Sequence, residues 1–259
     1  MSMSLVEETN KLAIVIPARL ESTRIYHKPL ITINDSMLVE YAIRAAKACV
    51  YKPTIILTSE SDEVFSSLSC QRDVSFFVTS RYPLTGTERA AELLGHTDHD
   101  VYLLLPCDIF PISGKLLDSM FDIYLKKKHP FMCLATKLRP DEFDSYDDVK
   151  IIVDDDHFAM NFIREIPANI LNNLDFHPVM LKQLGVYIYS RAVLTRFAES
   201  TQDIFEIVYS NESYRFLHKK EKMKIILTDN ELYSINTPAD ILKLSQRGYD
   251  VQYTKGKGN

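Results

Sequence analysis

The sequence predicts an α/β fold built on a mainly parallel sheet. Three observations predict it. Short apolar runs rich in branched residues recur along the first half, stretches of helical periodicity separate them, and no Pro/Gly/Ser-rich linker divides the chain. Strands alternating with helices of this length imply βαβ units with right-handed crossovers. Leu12–Pro17 (LAIVIP) reads as a strand buried on both faces, since an unbroken apolar run leaves no solvent side. Ser36–Cys49 carries apolar residues at helical spacing, with Ser36 placed to cap its start. Thr54–Thr58 reads as a second strand, Ser61–Leu68 as a helix and Val74–Val78 as a third strand. Thr87–Leu94 begins a further helix, and Val101–Leu105 (VYLLL) is the most apolar strand. Lys126–Lys128 closes another helix, its cations set against the negative end of the dipole.

The second half is less regular. Phe131–Lys137, Val149–Val153 and Phe158–Ile163 read as strands, the last two joined by the acidic turn Asp154–His157. Leu184–Tyr189 is a strand, Phe205–Leu217 a helix, and Lys222–Leu227 the last strand. Thr237–Arg247 is a final helix opened by Thr237-Pro238. The polar ends Met1–Asn10 and Tyr253–Asn259 read as loose arms.

Composition narrows the function. The 259 residues are 46% apolar and 25% charged, which at this length forms a core without disulfide staples. A net charge of -5 leaves no basic footprint for nucleic acid or an anionic membrane. No apolar run nears the ~18 residues of a membrane span, and MSMSLVEETN lacks a signal peptide's apolar core. Cys49, Cys70, Cys107 and Cys133 are scattered without a CxxC pair, which argues against structural zinc and suits a reducing, cytoplasmic compartment. With only 7 glycines, a glycine-rich phosphate loop is hard to build.

In an open parallel sheet, ligands bind beyond the carboxyl ends of the strands. After the first strand, Pro17 and Ala18 lead into a loop carrying Arg19, Ser22, Arg24 and Lys28. Three cations within ten residues can hold a polyanion such as a triphosphate, although a solvated basic loop has the same composition. After the third strand comes Thr85-Gly86-Thr87-Glu88-Arg89, where Gly86 admits close approach and a threonine can cap a helix. After the fourth, Asp108 is placed either to hold Mg²⁺ with phosphate oxygens or to cap a helix.

The order PARLESTR…KPL, TGTER, a strand-ending Asp, VKIIVDD, LGVYIY and NTPADI resembles the cytidylyltransferases that activate sugar acids, in particular the CMP-Kdo synthetase (3-deoxy-manno-octulosonate cytidylyltransferase) family. The resemblance covers about residues 11–247. It implies a Rossmann-like sheet of the nucleotide-diphospho-sugar transferase type, flanked by helices, with a second-half lobe covering the site. One domain is expected, with 11–137 binding nucleotide, 138–235 forming the sugar-acid and dimer lobe, and 236–252 a closing helix. The implied reaction joins CTP and a 2-keto-3-deoxy sugar acid into CMP-sugar and pyrophosphate, with Mg²⁺ as cofactor and a homodimer as the working form.

Residue by residue, the resemblance places Pro17, Ala18, Arg19, Ser22, Arg24 and Lys28 in the nucleotide loop. Thr85, Gly86, Thr87, Glu88 and Arg89 match the SGTER/SGTDR signature lining the nucleotide. Arg19, Lys28 and Asp108 would be catalytic, and Asp108 with Asn236 would hold the metal. Arg164 matches the SRxxIP arginine, Gln183 and Tyr187 fall on HxGxY, and Glu206, Glu212 and Arg215 match parts of LE…EQLR; Arg164, Gln183, Tyr187, Glu206 and Glu212 would meet the sugar acid. Four departures fall on the site. The glycine of RLPGKPL is His27, and QGDEP is Pro106-Cys107-Asp108-Ile109-Phe110. The metal-binding aspartate of VDTPEDL is Asn236, and the histidine of HxGxY is Gln183. Two readings follow: an enzyme specialised for a different acid, or a nucleotide-binding relative without turnover.

Overall fold

A computed structural model describes residues 11–21, 24–68, 72–81, 85–167 and 180–253. The expected arms before residue 11 and after 253, together with Ser22 and Cys70, lie outside them. The first half runs β1 (Leu12–Pro17), β2 (Thr32–Ile33), β3 (Ser36–Met37), α1 (Leu38–Lys47), β4 (Thr54–Ser59), α2 (Glu63–Ser67), β5 (Val74–Val78) and α3 (Gly86–Glu92). Next come β6 (Val101–Leu104), β7 (Ile109–Phe110), α4 (Gly114–Lys127), β8 (Phe131–Lys137), β9 (Lys150–Val153) and β10 (Ala159–Ile163). The chain ends with β11 (Met180–Ser190), α5 (Arg191–Ala198), α6 (Ile204–Tyr209), α7 (Ser213–His218), β12 (Lys224–Thr228), β13 (Tyr233–Ser234), α8 (Pro238–Gln246) and β14 (Val251–Gln252).

The main sheet runs β10-β9-β11-β6-β1-β4-β5, with β8 on β11 and β12 on β8. β6, β1, β4 and β5 are parallel, whereas β11 runs antiparallel to β6, β8 and β9. Residue alternation divides the core. Leu12, Ile14 and Ile16 pack on one face with α1 and α4; Ala13 and Val15 pack on the other with Ala90, Tyr189 and Phe197. A strand buried on both faces is what the unbroken run LAIVIP demanded.

Three boundaries differ from the sequence reading. Ser36 does not cap the helix: Asn34 and Asp35 both take positive φ (46° and 63°) and turn a tight hairpin that draws Ser36 and Met37 into β3. The helix therefore starts at Leu38, where the Glu40 carboxylate accepts the Met37 N–H at 2.9 Å. The expected helix Phe205–Leu217 is two, because Ser210 is left-handed (φ 48°) and the Asn211 side chain accepts the Ser213 N–H at 3.0 Å to restart the turn. Leu184–Tyr189 is the end of the longer β11, whose register shifts between Gln183 and Tyr187 around Gly185 at φ 68°. A β-branched or bulky residue at that φ would be strained.

Candidate functional site

Strand order reverses between β1 and β6, and a cleft of about 810 Å³ opens at their carboxyl ends. The loop after β1 forms one wall. Ala18 is fully buried behind it, its N–H donating to Thr58 O at 2.8 Å, so its side chain does not reach the cleft. Arg19, Arg24 and Lys28 line the cleft. Arg19 Nε donates to Glu21 O at 2.6 Å, and Arg24 pairs with Asp147 of the second lobe. Lys28 opens a short 3₁₀ turn over 28–30. Before it, His27 takes the left-handed conformation (φ 47°), which glycine adopts most readily. Its ring stacks on Tyr26 at 3.7 Å beside a separate hollow, so neither ring plugs the cleft.

Lys28 reaches the strand-ending acid. Its ammonium pairs with Asp108 and lies 3.4 Å from Asn236 Oδ1. The pairing of β7 with β13 brings Asn236 into place, and the Ile235 N–H donates to Asp108 O at 2.9 Å. One carboxylate and one amide oxygen thus converge on a lysine. Among the described residues no group of three or more His, Cys, Asp or Glu could hold a metal ion. This donor set suits a hard divalent ion that takes one carboxylate and completes its shell with phosphate oxygens, not one held in a protein cage.

The segment 85–89 divides between wall and floor. Thr85, Gly86 and Arg89 line the cleft. Thr85 and Glu88 form a reciprocal capping box at 3.1 and 3.2 Å. Glu88 also accepts Arg215 Nη2 at 2.9 Å, and Arg215 is bound through two nitrogens by Glu206 at 2.5 and 2.7 Å. Thr87 is fully buried, bonded to Tyr189 OH at 2.8 Å and donating to Glu212 Oε1 at 2.6 Å. Thr87 and Glu88 therefore brace the cleft from behind. Burial raises the Glu212 carboxyl above its ordinary pKa, against the pull of the Thr85 and Thr87 hydroxyls. Its Oε2 is buried with no hydrogen-bond partner.

The second lobe supplies the far wall. Arg164 donates to four carbonyls: Tyr209 at 3.0 Å, Tyr146 at 3.1 Å, Asp147 at 3.4 Å and Ser210 at 2.9 Å. It ties the break between α6 and α7 to the 146–147 loop, spending most of its five donors. Gln183 Nε2 donates to Tyr187 OH at 2.8 Å and Ser213 Oγ at 3.0 Å, while its Oε1 accepts Asn211 Nδ2 at 3.2 Å. Lys182, buried beneath, donates to Glu142 and Asp148 at 2.7 Å each, which neutralises the Asp148 carboxylate at the cleft edge.

Sequence reasoning passed over Asp147, Asn211, Ser213 and Glu60. Glu60 carried a usable signal, because it follows a buried strand as Asp108 does. The others carried none, since only the fold brings the 146–148 and 211–213 segments to the cleft.

A sequence model of the cytidylyltransferase family matches residues 13–232. A 3-deoxy-manno-octulosonate cytidylyltransferase of Chlorobium phaeovibrioides is 28% identical over 235 residues, covering 89% of this chain and 94% of its own. One from Bdellovibrio bacteriovorus is 26% identical over 245 residues, covering 91% and 97%. A solved CMP:2-keto-3-deoxy-manno-octonic acid synthetase complexed with CTP shares the fold at a TM-score of 0.77, with 21% identity over 92% of this chain and 98% of that one.

Proposed function

Because this chain belongs to the cytidylyltransferase family, we propose that it transfers CMP from CTP to a 2-keto-3-deoxy sugar acid of the Kdo class. The anomeric oxygen forms a bond to the α-phosphorus and loses its proton. The bond between that phosphorus and the bridging oxygen breaks, and pyrophosphate leaves. The observation that carries the reading is the Lys28 ammonium set between Asp108 and Asn236 at the switch point, with Arg19 and Arg24 on the same wall. Those cations would draw in the triphosphate and stabilise charge passing to the leaving group. Asp108, with the Asn236 amide oxygen beside it, would hold Mg²⁺, which supplies neutralisation of the phosphates. Gln183, Tyr187 and Glu212 would orient the sugar acid, with Arg164 shaping its pocket through the carbonyls it gathers. Catalysis is then mostly positioning.

The chain works as one domain in this reading, residues 11–137 holding nucleotide and 138–235 the acid. Pairing into a homodimer is supported by the apolar face of α6, where Ile204 is 63% and Val208 61% exposed beside Phe205 and Ile207. The described cysteines Cys49, Cys107 and Cys133 are free thiols, which suits a cytoplasmic enzyme. No helix among the described residues is long and apolar enough to cross a membrane. Incubation with CTP, Mg²⁺ and a panel of 2-keto sugar acids, followed by pyrophosphate release, tests the activity. Turnover that Asp108→Ala abolishes supports it; CTP binding without turnover on any acid supports the non-catalytic relative.

A further inference from the structure

The loop after β1 contains no glycine, yet its start at Leu20 and Glu21 is held in place. Glu60, the residue after β4, fixes it: one carboxylate oxygen, Oε1, accepts the backbone N–H groups of both Leu20 (2.9 Å) and Glu21 (3.2 Å). The other oxygen, Oε2, lies 3.2 Å from Arg89 Nη2 on α3. Both side chains are nearly sealed, Glu60 at 6% exposed and Arg89 at 3%. Arg89 in turn donates to Thr79, just past β5, whose N–H donates to Ser59 O at 2.8 Å. One buried carboxylate therefore joins the loop, the end of β4 and the helix that borders the cleft.

In glycine-rich phosphate loops the backbone amides point at the ligand. Here a carboxylate from within the protein already takes two of them. We propose that Glu60 is a positioning residue for the nucleotide: by pinning Leu20 and Glu21 it aims Arg19 into the cleft, so the phosphates are met by side-chain cations instead of loop amides. The proposal rests on the cytidylyltransferase reading and names a residue outside the reacting set. Arg89 belongs to the same device, its charge compensated by Glu60 within the protein.

Two measurements test it. In the wild-type protein, the Leu20 and Glu21 amides should exchange slowly with solvent before any nucleotide is added, and CTP should slow them no further. Exchange that is fast in the free protein, or that CTP slows strongly, overturns the proposal. In Glu60→Gln the uncharged amide keeps much of the shape but removes the carboxylate paired with Arg89 at 3.2 Å. CTP affinity by calorimetry should weaken about tenfold or more, the scale of a lost charge-assisted hydrogen bond. At saturating CTP, kcat should fall as well, because a misaimed Arg19 also stabilises charge passing to the leaving group less well. Should Glu60→Gln not fold, Glu60→Asp, which keeps the charge but shortens the reach, is expected to show the same loss of CTP affinity and faster exchange of the Leu20 and Glu21 amides. An unchanged Kd in a folded variant, with wild-type binding intact, refutes the positioning role alone. Failure of the wild-type protein to bind CTP refutes the cytidylyltransferase reading and the positioning role with it.

Discussion

Arg24 and Asp147 pair across the mouth of the cleft, one from the loop after β1 and one from the second lobe. A triphosphate reaching Arg24 must compete with that carboxylate. The exposures set the size of the competition, since the two side chains are 52% and 43% exposed. Such a pair is worth about 0.2–1 kcal/mol, not the several of a buried one. Asp147→Ala should therefore tighten CTP binding about 1.4- to 5-fold, the same energy converted to an equilibrium constant. The change is a clean one, because Arg164 holds the 146–147 loop through the carbonyls of Tyr146 and Asp147, which alanine leaves in place. The assay is calorimetric titration of CTP into both proteins from about 50 to 500 mM salt. The gain should shrink toward nothing as screening erases the pair it removes. Equal or weaker binding by Asp147→Ala at low salt refutes the reasoning, since Asp147 would then be holding Arg24 in its working pose.

Three further outcomes are expected. Asn236→Asp adds a second carboxylate beside Asp108, so the nucleotide-free protein should bind Mn²⁺ about tenfold more tightly in equilibrium dialysis, a gain near 1.4 kcal/mol. Gly114 opens α4 so close to the end of α1 that an added Cβ would sit 2.8 Å from backbone and side-chain carbon of Ala48. Gly114→Ala should cost about 1–3 kcal/mol in urea unfolding, while Gly95→Ala, with open space around it, should be neutral. Glu212 holds its proton to a higher pH when folded than unfolded, so its burial costs stability as pH rises above the ordinary value of 4.5. Glu212→Gln removes that cost, and its melting temperature relative to wild type should gain more at pH 8 than at pH 5; an equal difference at both counts against a buried, raised carboxyl.

The sheet was legible because its strands are short apolar runs that nothing but a doubly covered sheet can bury. The cationic loop, Asp108 and the 85–89 cap were legible because they lie in the segments that lead out of such strands. What failed to show were features set by single backbone angles. Asn34-Asp35 is a hairpin signal of two residues inside a longer apolar pattern, and that pattern outvoted it. The interruption at Ser210 rests on one left-handed residue and one Asn211 side-chain bond, neither of which disturbs helical spacing. Side-chain direction was beyond reach as well. Thr87 and Glu88 sit in the right segment yet face Glu212 and Arg215, because in a helix only some successive positions can face the cleft.

Taken one at a time, the four departures from the family pattern look like erosion. Erosion leaves buried polar groups without partners, since nothing selects against the orphan a lost partner leaves behind. At the departed positions the site does not have that character, since none of those side chains holds a buried polar atom without a partner. His27 takes a left-handed backbone angle of the kind glycine adopts most readily, and its ring lies outside the cleft. Gln183 uses its amide nitrogen on Tyr187 and Ser213 and its oxygen on Asn211. Asn236 lies within reach of the ammonium that also neutralises Asp108, so that trio carries no net charge before any ligand arrives. Two aspartates there would leave a surplus negative charge calling for a resident cation; one aspartate and one amide do not. A metal would then enter with the triphosphate that needs it. Glu212, a matched and not a departed position, lines the cleft with one oxygen fixed by Thr87 and the other, Oε2, buried without a hydrogen-bond partner, and such an acceptor is what a substrate hydroxyl able to reach it would satisfy.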